Sequence, residues 1–235
     1  MTRTRTLIAA LCAVSLACPA VAQAQAPDSS GGAAFGTPSL GAVPAALRGQ
    51  VTTLKGQRPD AAGKPVTVQR LVPDVGWQTL GTGVADAAGM FSIPWRAQDV
   101  GRYQLRSLID GQESTAQAQT ASTSGEQPEL TVYRPVKATW YGPGFFNRKT
   151  ACGQRLRAGT RGVAHRTLPC GSVVEVTYGG KTVQAQVIDR GPFRKGVHYD
   201  LTQATARDLG FDGLETIGVL TVSRPAPIAP AARRR

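Results

Sequence analysis

Long apolar runs are missing from this sequence. The one mostly apolar stretch, Leu7 to Ala17, falls far short of the roughly 20 residues that a membrane-crossing helix needs. Thiols and imidazoles are scarce too, with 4 cysteines and 2 histidines in 235 residues. Cys152, Cys170, His165 and His198 match no zinc spacing, so neither a metal nor a cofactor is expected. Aromatics make up only 6% of the chain. No basic stripe is interleaved with them and no nucleic-acid motif occurs, which argues against nucleic acid as a partner. Acidic residues are outnumbered 15 to 27, for a formal charge of +12. The excess is spread along the chain, which reads first as solvated surface and also suits anionic polymers.

Glycine (27) and proline (16) are plentiful. With so few aromatics, they favour β-structure with many turns over a helical bundle. Residues 1–24 read as a secretory signal. Arg3 and Arg5 form its positive start, and small residues at Ala22, Ala24 and Ala26 offer cleavage sites. Ser15 stands where a lipidation motif at Cys18 wants leucine, so a lipid anchor is not expected. Cys12 and Cys18 leave with the signal, and the mature chain keeps only Cys152 and Cys170. In an oxidising compartment two cysteines most simply form one disulfide. Residues 25–45 are rich in Ala, Gly, Pro and Ser and read as a flexible spacer. Residues 225–235 read as a basic tail.

From residue 46 to 134 short apolar segments recur between turn residues. They are LRGQVTT, PVTVQRLV, WQTLGTGVA, MFSIPW, RYQLRSL, STAQAQT and ELTVY. Val66 and Val68 alternate with Thr67 and Gln69, the period of a half-buried strand. The pattern predicts a small antiparallel β-sandwich. It resembles immunoglobulin-like or carboxypeptidase-regulatory-like modules of exported bacterial proteins. This stretch holds no His and no Cys, and it reads as a spacer or adhesion module open to another envelope protein.

The second half, residues 136–224, carries the strand signals KATWY, GVAHR, VVEVTY, KTVQAQVID and GVLTVS. Gly179-Gly180 marks a tight hairpin. One helix is expected, with Asp200 and Thr202 as candidate N-caps and Gly210 as its stop. Such a count suggests a small closed barrel. The runs WYGPGFFNRKTACGQRL, GVAHRTLPCGSVVEV, VIDRGPF and HYDLTQATARDLGF then carry a specific likeness. They resemble the RlpA-like double-psi β-barrel family, which is related to expansin and barwin-like domains. The expected fold class is therefore all-β, an immunoglobulin-like sandwich followed by a six-stranded double-psi barrel with one short helix. The resemblance implies an exported protein of the periplasm or cell wall. Its expected substrate is the glycan strand of peptidoglycan, cut by endolytic transglycosylation to a 1,6-anhydro product.

That chemistry needs an acid for the leaving oxygen. Asp189 ends the strand VQAQVID on the face shared by Val183, Ala185 and Val187, and it is the chief catalytic candidate. The resemblance adds His165 as a second catalytic residue that hydrogen-bonds substrate or orients Asp189. Gln154, Tyr141 and Arg190 are the expected substrate-binding residues. Trp140 reads as barrel core and Asp200 chiefly as a helix cap. At Gln154 the chain departs from the family, whose enzymes carry a glutamate there. Glutamine cannot move a catalytic proton but hydrogen-bonds sugars well. A non-catalytic, expansin-like wall-binding protein is the alternative reading, and a basic scaffold that contacts another envelope protein is a third.

Overall fold

The computed structural model describes residues 39–40, 45–112 and 128–223. The expected signal, most of the spacer, the STAQAQT segment and the basic tail lie outside the described residues. Among the described residues thirteen strands follow in order: β1 Ser39–Leu40, β2 Ala46–Leu47, β3 Val51–Gln57, β4 Pro65–Val72, β5 Gly76–Val84, β6 Met90–Arg96, β7 Gly101–Ile109, β8 Glu129–Tyr141, β9 Val163–His165, β10 Val173–Tyr178, β11 Lys181–Asp189, β12 Tyr199–Thr202 and β13 Glu215–Ser223. The α-helix among the described residues, α1, is Gln203–Leu209.

The first half places two sheets around one core. A three-stranded sheet runs β1-β3-β6, and the other sheet contributes β5-β4-β7-β8 with β2 on β8. Strand β6 shows why they face each other. Phe91, Ile93 and Trp95 are buried while Met90, Ser92, Pro94 and Arg96 are exposed, the period-2 pattern of a strand with one wet face. Leu54, Val66, Val68, Leu105 and Val132 close the same core.

The second half is built from the end of β8 with β9 to β13. Its core gathers Val136, Val163, Val174, Val176, Leu201 and Ile217. The β10–β11 hairpin turns at Gly179 and Gly180, with φ of 56° and 77°. Both central residues at positive φ suit the right-handed twist of the flanking strands. The register Tyr178↔Lys181 and Val176↔Val183 follows.

Strand β8 joins the halves without a break. Val132 is the last of its residues paired to β7, through Gly101, and Arg134 the first paired to β13, through Val219. Pro135, where the sequence suggests a new beginning, stands at this handover inside a 13-residue strand. Further on, β8 pairs in parallel with β12 from Ala138↔Tyr199 to Tyr141↔Thr202. The crossing is tight. A Cβ on Gly218 would sit 2.6 Å from both Leu47 Cδ2 and Thr177 Cγ2 and 2.8 Å from Tyr133 Cβ.

A polar tie also crosses the junction. Arg102 of β7 donates from one nitrogen to both oxygens of the buried Glu175 of β10, at 3.0 and 2.9 Å. The Tyr133 hydroxyl donates to the same carboxylate. Burial pushes the Glu175 pKa up, but the bonds from Tyr133 and Arg102 outweigh it, and the net shift is downward. Burial, then Glu175, pushes the Tyr133 phenol to about 12. A depressed carboxylate stabilises the fold above its unfolded pKa, and this contribution is lost as pH falls through the folded value. Arg102→Ala strands a buried charge and is expected to cost about 2 kcal/mol, reduced from the fully buried case because Arg102 is partly exposed. Thermal melts check this. The Arg102→Ala/Glu175→Gln double variant should recover part of the loss at neutral pH, because glutamine leaves no charge behind.

Candidate functional site

Four strand ends converge on one cleft. Strand alternation turns Thr139 of β8, Ala164 of β9 and Asp200 of β12 to the same side. The pairings Asp200↔Thr139 and Asp200↔Ala164 hold them level. Asp189 ends β11 opposite Ala164, after a register shift that follows Val187. These residues, with Tyr141 and Arg190, line a cavity of about 410 Å³. Phe145 and Phe193 stand at its wall, 52% and 82% exposed. Aromatic faces left this open suit stacking on apolar ring faces of a ligand.

The two carboxyls differ in their surroundings. Asp189 Oδ1 accepts from the backbone N–H groups of Ala151 and Arg190, both at 2.8 Å. This clamp ties the loop after Thr150 to the end of β11. The Cys152–Cys170 bond, with Cα atoms 5.6 Å apart, lies beside it, and the Cys152 N–H donates to the Ile188 carbonyl at 3.3 Å. Asp200 has a single hydroxyl donor, Thr139 Oγ1 at 2.9 Å. Burial pushes the Asp200 pKa up and the Asp189 charge adds to it, while the Thr139 bond opposes. The Tyr141 hydroxyl is buried and has no hydrogen-bond partner among the described residues. Burial raises its pKa, and Asp189 and Asp200 are near enough to raise it further. Two carboxyls and one phenol thus face a single cavity, and one of those carboxyls is biased toward its proton-donating form.

The expected residues do not all meet here. Tyr141 and Arg190 line the cleft with Asp189. The Arg190 guanidinium is held by the His165 carbonyl at 3.2 Å and lies 3.3 Å from Cys170 Sγ. The Gln154 side chain is exposed and has no hydrogen-bond partner among the described residues, and its position is outside the cavity wall. His165 is one residue out of phase with Ala164, so its ring turns to the opposite side and packs on Tyr199, centroids 4.7 Å apart. No hydrogen bond joins the His165 ring to Asp189. Instead Nδ1 accepts from the N–H groups of Leu168 and Thr167, at 2.9 and 3.2 Å.

Asp200 is not a helix cap. Thr202 caps α1, its hydroxyl accepting from the Thr205 N–H at 3.4 Å, and Gly210 closes the helix at φ 69°. Asp200 sits two residues earlier in a strand that the sequence reading takes for a helix start. The missed signal is the alternation Tyr199, Leu201 buried against Asp200 half-buried.

Residues 134–223 match the profile of the family described as lytic transglycolase. They belong to the RlpA-like double-psi β-barrel family. Over 116 residues the chain is 40% identical to the probable endolytic peptidoglycan transglycosylase RlpA of Synechocystis sp., an overlap of 46% of this chain and 36% of that protein. It is 40% identical over 98 residues to the endolytic peptidoglycan transglycosylase RlpA of Neisseria meningitidis serogroup A, 39% of this chain and 41% of that one. The chain therefore spans well under half the length of these curated relatives. Among solved structures, the apo expansin of Clavibacter michiganensis is 29% identical over 39% of this chain and 51% of that chain, with a TM-score of 0.33.

Within this RlpA-like barrel, Asp200 carries a testable cost. Its folded pKa is raised by burial and then by Asp189. Such a group costs stability progressively as pH rises from the unfolded pKa through the folded one, whereas below the unfolded pKa both states are protonated and the cost vanishes. Asp200→Asn keeps an oxygen for Thr139 and removes the charge. It should raise Tm at pH 7 and leave Tm unchanged near pH 3, measured by calorimetry.

Proposed function

We propose that this chain is an exported lytic transglycosylase that cuts peptidoglycan glycan strands. The observation that supports it most is the convergence of Asp189, Asp200 and the Tyr141 hydroxyl on one cavity of an RlpA-like barrel. In the step proposed, Asp200 gives its proton to the glycosidic oxygen as the C1–O bond breaks. The 6-hydroxyl of the same sugar closes on C1, and its proton passes to Asp189, which the backbone clamp on Oδ1 holds in place. The products are a 1,6-anhydro end and a free 4-hydroxyl, and no water is consumed. Tyr141 and Arg190 would bind sugar hydroxyls while Phe145 and Phe193 support the ring faces. His165 would act on the other side of the β9–β12 pair, through its carbonyl hold on Arg190.

The first half, residues 46–134, we read as an immunoglobulin-like sandwich that spaces the barrel domain, residues 136–224, from the envelope or contacts another envelope protein. The signal at residues 1–24 would place the chain in the periplasm or wall. Named relatives that are peptidoglycan transglycosylases support the substrate class. The test is incubation with sacculi and with glycan strands stripped of stem peptides. Soluble fragments are expected from the stripped strands, and far fewer from the Asp189→Asn variant. Pelleting with sacculi and no fragments would overturn cutting and leave the gripping alternative, which the glutamine at Gln154 would serve.

A further inference from the structure

Behind the cleft, on the other side of the β9–β12 pairing, lies a second cavity of about 460 Å³. Both halves of the chain build it. Arg48 comes from the turn after β2, Arg134 from β8, His165 from β9, and His198 from the residue ahead of β12. No aspartate or glutamate lines it. Among the described residues, neither Arg48 nor Arg134 has a carboxylate partner.

His165 gives this cavity a donor of defined direction. Its Nδ1 accepts two backbone N–H bonds, so the neutral ring carries its proton on Nε2. Packing on Tyr199 fixes the ring plane. Nε2 has no partner among the described residues. Burial first, and then the charges of Arg166, Arg190, His198 and Arg134, hold the ring below its usual pKa, so it remains an N–H donor of fixed tautomer. One such donor beside two guanidinium groups is a set that a carboxylate accepts from in charge-assisted bonds.

We propose that this junction cavity is a carboxylate subsite, taking acid groups of the polymer whose sugars occupy the cleft. The choice of polymer rests on the wall-glycan reading, but the donor set does not. Two sources share this chemistry, the lactyl carboxylate of a stripped muramyl residue and the carboxylates of a stem peptide.

The chain's 2 histidines both line this cavity, which makes them clean reporters. The full chain, labelled with 15N on histidine, is titrated with N-acetylmuramic acid, with a muramyl peptide whose lactyl group is amide-linked, and with N-acetylglucosamine. A saturable shift of the His165 Nε2 signal is expected with either acid and none with the neutral sugar. The stronger of the two acids identifies the source. Arg48→Gln/Arg134→Gln should weaken the response at least tenfold. Arg157→Gln/Arg207→Gln, which removes equal charge from exposed positions elsewhere, should leave it unchanged. No shift with either acid, an equal shift with N-acetylglucosamine, or a full response in Arg48→Gln/Arg134→Gln would overturn the subsite. Acid binding without glycan cleavage would keep the subsite and sink the transglycosylase reading. Cleavage without any histidine response would do the reverse.

Discussion

Asp200→Asn is expected to lower the rate of glycan cleavage at least about a hundredfold, the usual worth of a positioned acid. The effect should fall on kcat, with sacculus binding nearly unchanged, because asparagine keeps the shape and the Thr139 bond but has no proton to give. Three observations assign the acid to Asp200. Burial raises its pKa, it has one hydroxyl donor, and it faces the same cavity as Asp189 and Tyr141. Asp189, by contrast, takes two backbone N–H bonds on one oxygen, which suits an acceptor. The pH profile carries the same assignment. Activity should fall as pH rises through the raised Asp200 pKa. After burial, the Asp189 charge is part of what raises it. Asp189→Asn therefore should move the alkaline limb of any residual activity to lower pH. An unchanged limb in that variant would separate the two carboxyls and remove Asp200 from the acid role.

Cys152→Ser/Cys170→Ser is expected to cost about 3 kcal/mol of stability, by the chain-entropy account of a loop this long. The two cysteines are 18 residues apart in sequence. For a folded unit of this size that loss lowers Tm by roughly 6–12 °C. A second effect should appear in activity. The bond anchors the loop whose Ala151 N–H holds Asp189 Oδ1 and whose Cys152 N–H reaches Ile188. Loosening it releases Asp189, so the rate should fall even at temperatures where the double variant remains fully folded. Circular dichroism and the cleavage assay, run side by side below the melting range, distinguish lost clamping from lost folding. A variant that melts lower but cuts at the wild-type rate would show that the disulfide serves stability alone.

Much of the barrel is readable from local pattern. Gly179-Gly180 marks the β10–β11 hairpin because two adjacent glycines supply the positive φ its turn requires. The alternation of Val183, Ala185 and Val187 marks the strand, but the register shift after Val187 turns Asp189 to the side of Ala164 and away from theirs, and Thr202 and Gly210 bound the helix by ordinary capping chemistry. What the sequence hides is long-range. Strand β12 is four residues long and pairs in parallel with β8, Thr139 meeting Asp200 across 61 residues. A strand that short carries too few alternations to outweigh a cap signal, so Asp200 was legible as a cap and not as a cleft residue. His165 fails for a related reason. A motif fixes that it is near the site, but a single step along β9 decides which side it faces, and only the pairing Tyr199↔His165 against Asp200↔Ala164 reveals that. The tie between Arg102 and Glu175 spans 73 residues, and no local pattern announces it.

The most direct measurement is the chemistry of the cut end. Glycan strands stripped of stem peptides are incubated with the wild-type chain, and the fragments are analysed by mass spectrometry. Ends of the 1,6-anhydro form, lighter by one water than hydrolysed ends, are expected, and Asp200→Asn should form them at least about a hundredfold more slowly. Reducing ends that carry solvent oxygen, or anhydro ends formed equally by Asp200→Asn, would contradict the proposed step.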